Sequence, residues 1–184
     1  MILPIIAYGN AILNRLANDV EKQNINKLDS TIKNMFDTLY NSNGIGLAAP
    51  QINLPIKLFI MDLYDDINKE RIKKVFINPY IKSYHGITWR LNEGCLSIPN
   101  VLLNIKRHYK IIIKYIDTSL SIHEDAYTGL SARVIQHEID HINGITILDR
   151  CSQRDKLKIN PHLINIKKGN IETTYKMIFS KKII

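Results

Sequence analysis

The sequence predicts an α+β domain in which antiparallel sheets surround a helix that carries His137 and His141. Three observations support this fold class: one amphipathic helix is predicted early, another late, and the segments between them have the composition of strands joined by short connections. Helices placed before and after a set of strands favour an antiparallel sheet over a doubly wound parallel one. A chain of 184 residues suffices for one domain with its own hydrophobic core.

The early helix is predicted over LDSTIKNMFDTLY, residues 28–40, where apolar residues recur at helical spacing. Asp29 or Ser30 is the expected N-terminal cap, because a short polar side chain can accept a hydrogen bond from a backbone N–H of the first turn. The helix should end at NSNG, residues 41–44, a sequence that is typical of turns.

The strand segments are rich in Ile, Val, Phe and Tyr, as β-strands usually are. They are IKLFIMDL (56–63), KVFINPYI (74–81) and KIIIKYID (110–117). A second helix is predicted from about residue 130 to residue 143, where an Asn-Gly pair would end it. Val134 lies on about the same side of this helix as His137 and His141, so that face should point into the protein.

Charge and cysteine content restrict the partners and the compartment. Residues 150–184 carry nine Lys or Arg and two acids, a balance of +7, whereas residues 1–149 have a balance of +1. The basic tail favours an anionic partner such as RNA, and a solvated C-terminal face explains it equally well. Two cysteines do not suggest a disulfide framework. A cytoplasmic protein without a membrane or DNA partner is expected, since the sequence has neither a signal peptide nor an apolar run of bilayer length.

The segment QHEIDH, residues 136–141, contains the pattern HExxH. Residues four apart share one face of a helix, so His137 and His141 can bind one metal ion and place Glu138 beside a water on it. A surface or core pair of histidines is the alternative, because His and Glu are ordinary residues on helices. A catalytic metal site would also need a third ligand from elsewhere in the chain.

Two further segments contain residues suited to such a site. EGCLSIP, residues 93–99, includes Cys95, whose thiolate would complete a Cys-His-His set. Its alternative is a buried structural thiol, which is the commoner role of an isolated cysteine. GIGLAAPQ, residues 44–51, combines small residues that allow close backbone approach with the amide of Gln51. Its alternative is a tight turn that leaves Gln51 in solvent.

Together, in this order and at these spacings, the three segments closely resemble the GxGLAAPQ, EGCLS and QHExDH motifs of the peptide deformylase family. The segments LPIIAYGNAILNRLANDV and LDRCSQRDKLKI also resemble parts of that family. The resemblance implies one peptide deformylase domain over residues 1–184, with a basic C-terminal extension over about residues 150–184. It implies a metal-dependent amide hydrolase that removes the N-formyl group from the formylmethionine of nascent polypeptides.

The resemblance also assigns chemical roles to residues of the three motifs. The implied ligands of one divalent metal ion are Cys95, His137 and His141. The ion is expected to be Fe(II), with Zn, Ni or Co as substitutes. Glu138 would act as general base and then general acid. The side chain of Gln51 and the backbone N–H of Leu96 would stabilise the oxyanion.

The same resemblance implies where the substrate lies. The residues expected to pair with the peptide backbone, as an added strand does, are Gly44, Ile45 and Gly46. The candidates for the methionine pocket are Leu91, Val134, the flank of His137 and, at the rim, the stem of Arg133. Glu93, also assigned to this region, would form an ion pair with Arg107 beneath the Cys95 loop. Leu102 stands where many relatives have an arginine, so peptide affinity beyond the first residue is expected to differ.

The basic tail has a more specific interpretation within this family. In some deformylases a C-terminal element docks on the ribosome, and the tail could do the same through phosphate contacts. Pro161 should interrupt any single long helix in this region. ETTYKMIF, residues 172–179, has the composition of a strand that could pack on the body of the protein.

Two other functions are weighed against deformylation. An HExxH metalloendopeptidase would use the same water and glutamate on an internal amide, but its third ligand would follow the helix rather than precede it. A degenerate relative kept only for ribosome binding would have lost catalytic residues. The sequence retains all of those implied by the resemblance, so both rivals are disfavoured.

Overall fold

The computed structural model describes residues 1–180 and confirms the α+β class. The strands, numbered β1 to β7, are Ile5–Ile6, Gly46–Ala48, Leu58–Asp65, Glu70–Cys95, Ile98–Ile116, Ile122–Thr128 and Met177–Ile178. The α-helices, numbered α1 to α5, are Lys22–Ile25, Asp29–Asn41, Gly129–Ile142, Ile147–Arg150 and Gln153–Lys168. Short 3-10 helices cover Ala11–Asn14 and Ala49–Ile52.

The main sheet has the strand order β2-β3-β4-β5-β6, and every neighbouring pair in it is antiparallel. The segment predicted at 56–63 is β3, displaced by two residues. The segment predicted at 74–81 lies inside the much longer β4, and the one predicted at 110–117 matches the end of the longer β5 except for its last residue. Residues 82–92 of β4 are mostly exposed, and the sequence has no apolar run there. Four register shifts bend the hairpin of β4 and β5, which returns the end of β4 to helix α3.

Helix α2 forms where helical spacing predicted it, but its N-terminus differs from the prediction. Capping by Asp29 or Ser30 is wrong, because Leu28 occupies the cap position and no side chain caps the helix. Asp29 is instead the first helical residue, where a carboxylate interacts favourably with the positive end of the helix dipole. The buried face of α2, which includes Leu39, packs against apolar residues of β2 and β3.

Helix α3 packs on the sheet and is buried on nearly every side. It begins at Gly129, close to the predicted start, and ends at Asn143-Gly144 as predicted. Gly144 has a φ of +72°, and a Cβ on it would lie 2.8 Å from the carbonyl carbon of Asn14. The inner face of α3, including Ile135, joins a core formed with β3 to β6. This packing fixes the helix that carries the HExxH pattern.

The C-terminal segment folds back on the body of the protein. The prediction that Pro161 interrupts a long helix is wrong, since α5 continues through it. Pro161 is exposed, so water can bind the carbonyl that loses its N–H partner, while Leu163 and Ile166 anchor the buried side of the helix. Strand β7 then pairs with β1, in agreement with the strand composition of residues 172–179.

The expectations about a membrane and about the basic C-terminal extension can be compared with the structure. No helix within residues 1–180 is long and apolar enough to cross a membrane. The last four residues of the basic extension predicted over about 150–184 lie outside the described residues. In the described part, α5 exposes Arg154, Lys158 and Lys168 to solvent.

Candidate metal centre and active site

The three predicted metal ligands lie together where β4 meets α3. The ligand atoms of Cys95, His137 and His141 are all within 4.8 Å of one another. Cys95 and His141 are buried and His137 is nearly so, and the Cys95 Sγ is 3.2 Å from Nε2 of His141. The helix provides both histidines because residues four apart share a face. The missing third ligand is therefore Cys95, and a purely structural thiol does not account for this convergence.

A carboxylate behind His137 orients its ring. The Nδ1 of His137 lies 3.2 Å from Oε2 of Glu93, which leaves Nε2 as the nitrogen that can bind an ion. Such a partner fixes the tautomer of a ligating histidine and makes it a better ligand. His141 differs, because its buried Nδ1 has no hydrogen-bond partner in the described part of the chain.

Glu93 is the centre of a buried ion network beneath the Cys95 loop. Its oxygens accept hydrogen bonds from Nε and Nη2 of Arg107 at 2.7 and 2.9 Å, and Arg133 also donates to Oε1. Burial alone would raise the pKa of Glu93, but the hydrogen bonds from His137 and Arg107 lower it to about 2. The predicted Glu93–Arg107 pair is present, and the Glu93 carboxylate is fully engaged with its neighbours.

Arg133 lies deeper than the rim position predicted for its stem. The residue is 2% exposed, and its Nη2 donates to the carbonyl of Trp89 at 2.9 Å while the guanidinium stacks over the indole ring. At the other end of the network, Arg107 donates to Asp140 at 2.7 Å. Arg150 binds the same aspartate from the half-exposed side. The network therefore ties β4, β5 and α3 together behind the metal ligands.

The donor set suits a divalent metal ion. Burial would raise the pKa of the Cys95 thiol, but the charges and hydrogen bonds of His141 and His137 outweigh it and hold that pKa well below its ordinary value. One thiolate and two imidazoles leave the fourth position of a tetrahedral ion open, as catalytic sites do. Such a set accepts Fe(II) and Zn(II) alike, so it does not select one ion.

Glu138 is buried beside the ligands. It is 3% exposed, and its Oε2 has no hydrogen-bond partner within residues 1–180. Burial raises the pKa of Glu138 to about 7, against the lowering effect of His137 and His141. Gly46 borders the same carboxyl, since a Cβ there would lie 2.5 Å from Oε1. A carboxyl in this position can accept and return a proton near neutral pH.

Gln51 is buried, which excludes the alternative of a turn residue in solvent. The short helix Ala49–Ile52 places it, and its Oε1 accepts a hydrogen bond from the N–H of Ala48 at 2.9 Å. With Oε1 held in this way, Nε2 is 3.3 Å from Oγ of Ser97 and 3.8 Å from Sγ of Cys95. The side-chain amide is thus a fixed donor next to the metal ligands.

Leu96 and Ser97 connect β4 to β5 as a two-residue turn. The Leu96 N–H has no acceptor among the atoms of the described residues. Its carbonyl accepts a hydrogen bond of 2.8 Å from the hydroxyl of Tyr175, and the Ser97 carbonyl accepts one from the N–H of Tyr8. An N–H without an acceptor, in the residue that follows Cys95, is suited to an oxyanion.

A cavity of about 870 Å³ opens over these residues. All the residues predicted to contact substrate lie in its wall, namely Gly44, Ile45, Gly46, Leu91, Glu93, Arg133 and Val134. Leu102 belongs to the exposed part of the wall. The sequence did not predict the contribution of Glu172–Tyr175. Motif spacing carries no signal for this segment, because tertiary contacts such as the pairing of β7 with β1 bring it to the cavity.

Comparison with known proteins agrees with the geometry of the site. The family model described as polypeptide deformylase matches residues 2–157. The peptide deformylase of Christiangramia forsetii is 46% identical over 190 residues, covering 97% of this chain and 96% of that protein. That of Cytophaga hutchinsonii is 40% identical over 184 residues, covering 99% and 100%.

Solved structures show the same likeness in three dimensions. The crystal structure of a peptide deformylase from Legionella pneumophila has a TM-score of 0.81 at 33% identity, covering 92% of this chain and 98% of that one. A Met-Ala-Ser-bound peptide deformylase from Acinetobacter baumannii has a TM-score of 0.75 at 29% identity, covering 82% and 98%.

Proposed function

The chain belongs to the polypeptide deformylase family, and we propose the roles that its residues take in the reaction of that family. The protein is a metal-dependent hydrolase that removes the N-formyl group from nascent polypeptides. The observation that carries the proposed roles is the convergence of the three ligand atoms beside the buried carboxyl of Glu138 and the amide of Gln51.

The ligand set Cys95, His137 and His141 would hold one divalent ion. When bound, such an ion supplies Lewis acidity that lowers the pKa of a water and makes it a nucleophile near neutral pH. We propose Fe(II) as the cellular ion and Zn, Ni or Co as substitutes, since one thiolate makes the set softer than three histidines. Exposure to oxygen should then inactivate the enzyme through oxidation of the iron and of Cys95.

The residues around the ligands transfer the proton and stabilise the oxyanion. Glu138 takes a proton from the attacking water as the water oxygen bonds to the formyl carbon. The formyl oxygen becomes negative, and the amide of Gln51 and the N–H of Leu96 donate hydrogen bonds to it. Glu138 then passes the proton to the amine nitrogen as the carbon–nitrogen bond breaks, which releases formate and a free N-terminus. Loss of either donor should raise the barrier by about 3 kcal/mol.

The substrate strand is proposed to add to β2. This strand lies at the edge of the main sheet, so its outer side can pair with an extended peptide. Backbone groups of Gly44, Ile45 and Gly46 would provide that pairing. The methionine side chain would lie against Leu91 and Val134, both of which belong to the cavity wall.

Hydrolysis of formyl-Met-Ala-Ser by protein purified without oxygen and loaded with Fe(II) tests these roles. Glu138→Ala protein, brought to the same metal content, is the control. We expect rapid release of formate by the wild type and a loss of at least a hundredfold in kcat in the variant. Comparable turnover by the two proteins would refute the role of Glu138.

A ribosome contact through the basic tail is a further part of the proposal, with the cytoplasm as the site of action on nascent chains. It is supported by the exposed cations Arg154, Lys158 and Lys168 on α5. Replacing all three by glutamate should abolish the co-sedimentation with ribosomes expected of the wild type at low salt, without changing hydrolysis of the short peptide. Equal co-sedimentation of wild type and variant would contradict this contact.

A further inference from the structure

The turn that follows Cys95 is held by the C-terminal part of the chain. The hydroxyl of Tyr175 donates to the Leu96 carbonyl at 2.8 Å, and the His162 ring on α5 lies 2.9 Å from the Pro99 carbonyl. Both contacts reach across more than sixty residues of sequence. The metal-ligand loop therefore depends on residues far beyond the three motifs.

The contact at Leu96 is the one that bears on chemistry. In a two-residue turn the central residues direct their backbone groups away from the ladder between the strands. The carbonyl of Leu96 is bound by Tyr175, whereas its N–H has no acceptor among residues 1–180. The carbonyl and the N–H of Leu96 lie in adjacent rigid peptide planes that only the φ and ψ rotations of Leu96 separate, so fixing the carbonyl removes part of the freedom with which the N–H can reorient.

The segment that carries Tyr175 is itself anchored on both sides. The carbonyl of Lys176 accepts a hydrogen bond from the N–H of Ile5, where β7 pairs with β1. On the other side, the Asn100 side chain donates to the Glu172 carbonyl, and Thr173 Oγ1 donates to the carbonyl of Tyr175. The half-buried phenol is thus presented to Leu96 by a braced segment rather than by a loose end.

We propose that Tyr175 is a positioning residue that holds the backbone N–H of Leu96 toward the formyl oxygen of the substrate. The inference rests on the proposed role of Leu96 as an oxyanion donor. Tyr175 lies outside residues 2–157, which the family model matches, so the three motifs do not include it. The C-terminal segment then completes the active site in addition to any contact that it makes with a partner.

Steady-state kinetics of the full-length, metal-loaded Tyr175→Phe protein tests the inference. The substitution keeps the ring and removes only the hydroxyl. Because outright loss of an oxyanion donor costs on the order of a hundredfold or more, a misdirected one should lower kcat about tenfold. KM for formyl-Met-Ala-Ser and the metal content should stay within twofold. An unchanged kcat, or a loss confined to KM, would overturn the proposal.

A matched control and a second measurement separate positioning from general loosening. His162→Ala removes a different contact, from the C-terminal region to the start of β5, and should leave kcat within twofold. An equal loss of kcat in that variant would contradict a specific role for Tyr175. NMR relaxation of the Leu96 amide should show a more mobile N–H in Tyr175→Phe.

The two readouts also identify which assumption has failed. A more mobile Leu96 amide with unchanged kcat would mean that this N–H is not an oxyanion donor, so the proposed function of Leu96 would fall. An unchanged amide with unchanged kcat would overturn the positioning role of Tyr175 and leave the function proposed for Leu96 intact.

Discussion

Replacement of Glu93 by glutamine should destabilise the fold and weaken metal binding together. The Glu93 side chain is 6% exposed and forms ion pairs with Arg107 and Arg133 while it orients His137. Glutamine keeps the size of the side chain but removes its charge. Its amide NH2, which is a hydrogen-bond donor, would face guanidinium groups that are also donors. Breaking a buried ion pair from one side costs about 3–5 kcal/mol. That is a large part of the roughly 5–15 kcal/mol by which domains are stable.

The effect on metal binding comes from the hydrogen bond behind His137. Removing the carboxylate partner of a ligating histidine typically lowers metal affinity about 10- to 100-fold. Zinc affinity, measured by competition with a chelator, reports this term. Urea unfolding of the metal-free proteins reports the stability term separately, because no ion then contributes to the free energy of unfolding.

Arg150→Gln provides the matched control for Glu93→Gln. Arg150 binds the same network through Asp140, but its side chain is 44% exposed, so water can replace its contacts. Its loss should cost about 1 kcal/mol or less and leave zinc affinity unchanged. A Glu93→Gln protein that loses less than about 1 kcal/mol of stability and binds zinc as tightly as the wild type would refute the role of Glu93 in this network.

Three more predictions concern activity, pH and packing. Gly46→Ala would place a Cβ 2.5 Å from Oε1 of Glu138, so kcat/KM should fall about a hundredfold or more at equal metal content, and wild-type activity would contradict the geometry. The Arg71 guanidinium lowers the pKa of Asp62 in the folded state. The stabilisation that this ion pair gives the folded state is therefore fully present above the unfolded pKa of about 4 and is lost as the pH falls through the lower folded pKa. Urea unfolding should therefore show Asp62→Asn less stable than the wild type at pH 7, with the difference shrinking as the pH falls below about 4, and a constant difference would disprove this. Gly144→Ala combines a φ of +72° with a backbone contact of 2.8 Å, so it should lower stability by about 1–3 kcal/mol, and an unchanged Tm would contradict the strain.

Some of the site could be predicted because its chemistry lies in short segments. A pair of histidines four residues apart converges whatever the rest of the fold does, provided that the segment is helical. The Cys95 and Gln51 segments were informative only with the histidine segment, since a lone thiol or amide has ordinary structural roles. The structure then shows their separate elements converging within a few ångströms.

The remaining features depend on tertiary contacts that no local pattern records. The helix through Pro161 persists because the proline faces solvent and the other side of the helix is packed. The rule that proline interrupts a helix considers the backbone alone. Arg133 can be buried because Glu93 and the Trp89 carbonyl accept hydrogen bonds from its guanidinium. The position of Tyr175 follows from strand pairing between the two ends of the described chain.

X-ray absorption spectroscopy of the zinc-loaded protein tests the metal centre most directly. We predict one zinc per chain, with one sulfur at about 2.3 Å and two imidazole nitrogens at about 2.0–2.1 Å. Cys151→Ser should leave this spectrum unchanged, and Cys95→Ala should remove the sulfur. A spectrum without sulfur, or one that keeps its sulfur in Cys95→Ala, would contradict the assignment of Cys95, His137 and His141 as the metal ligands.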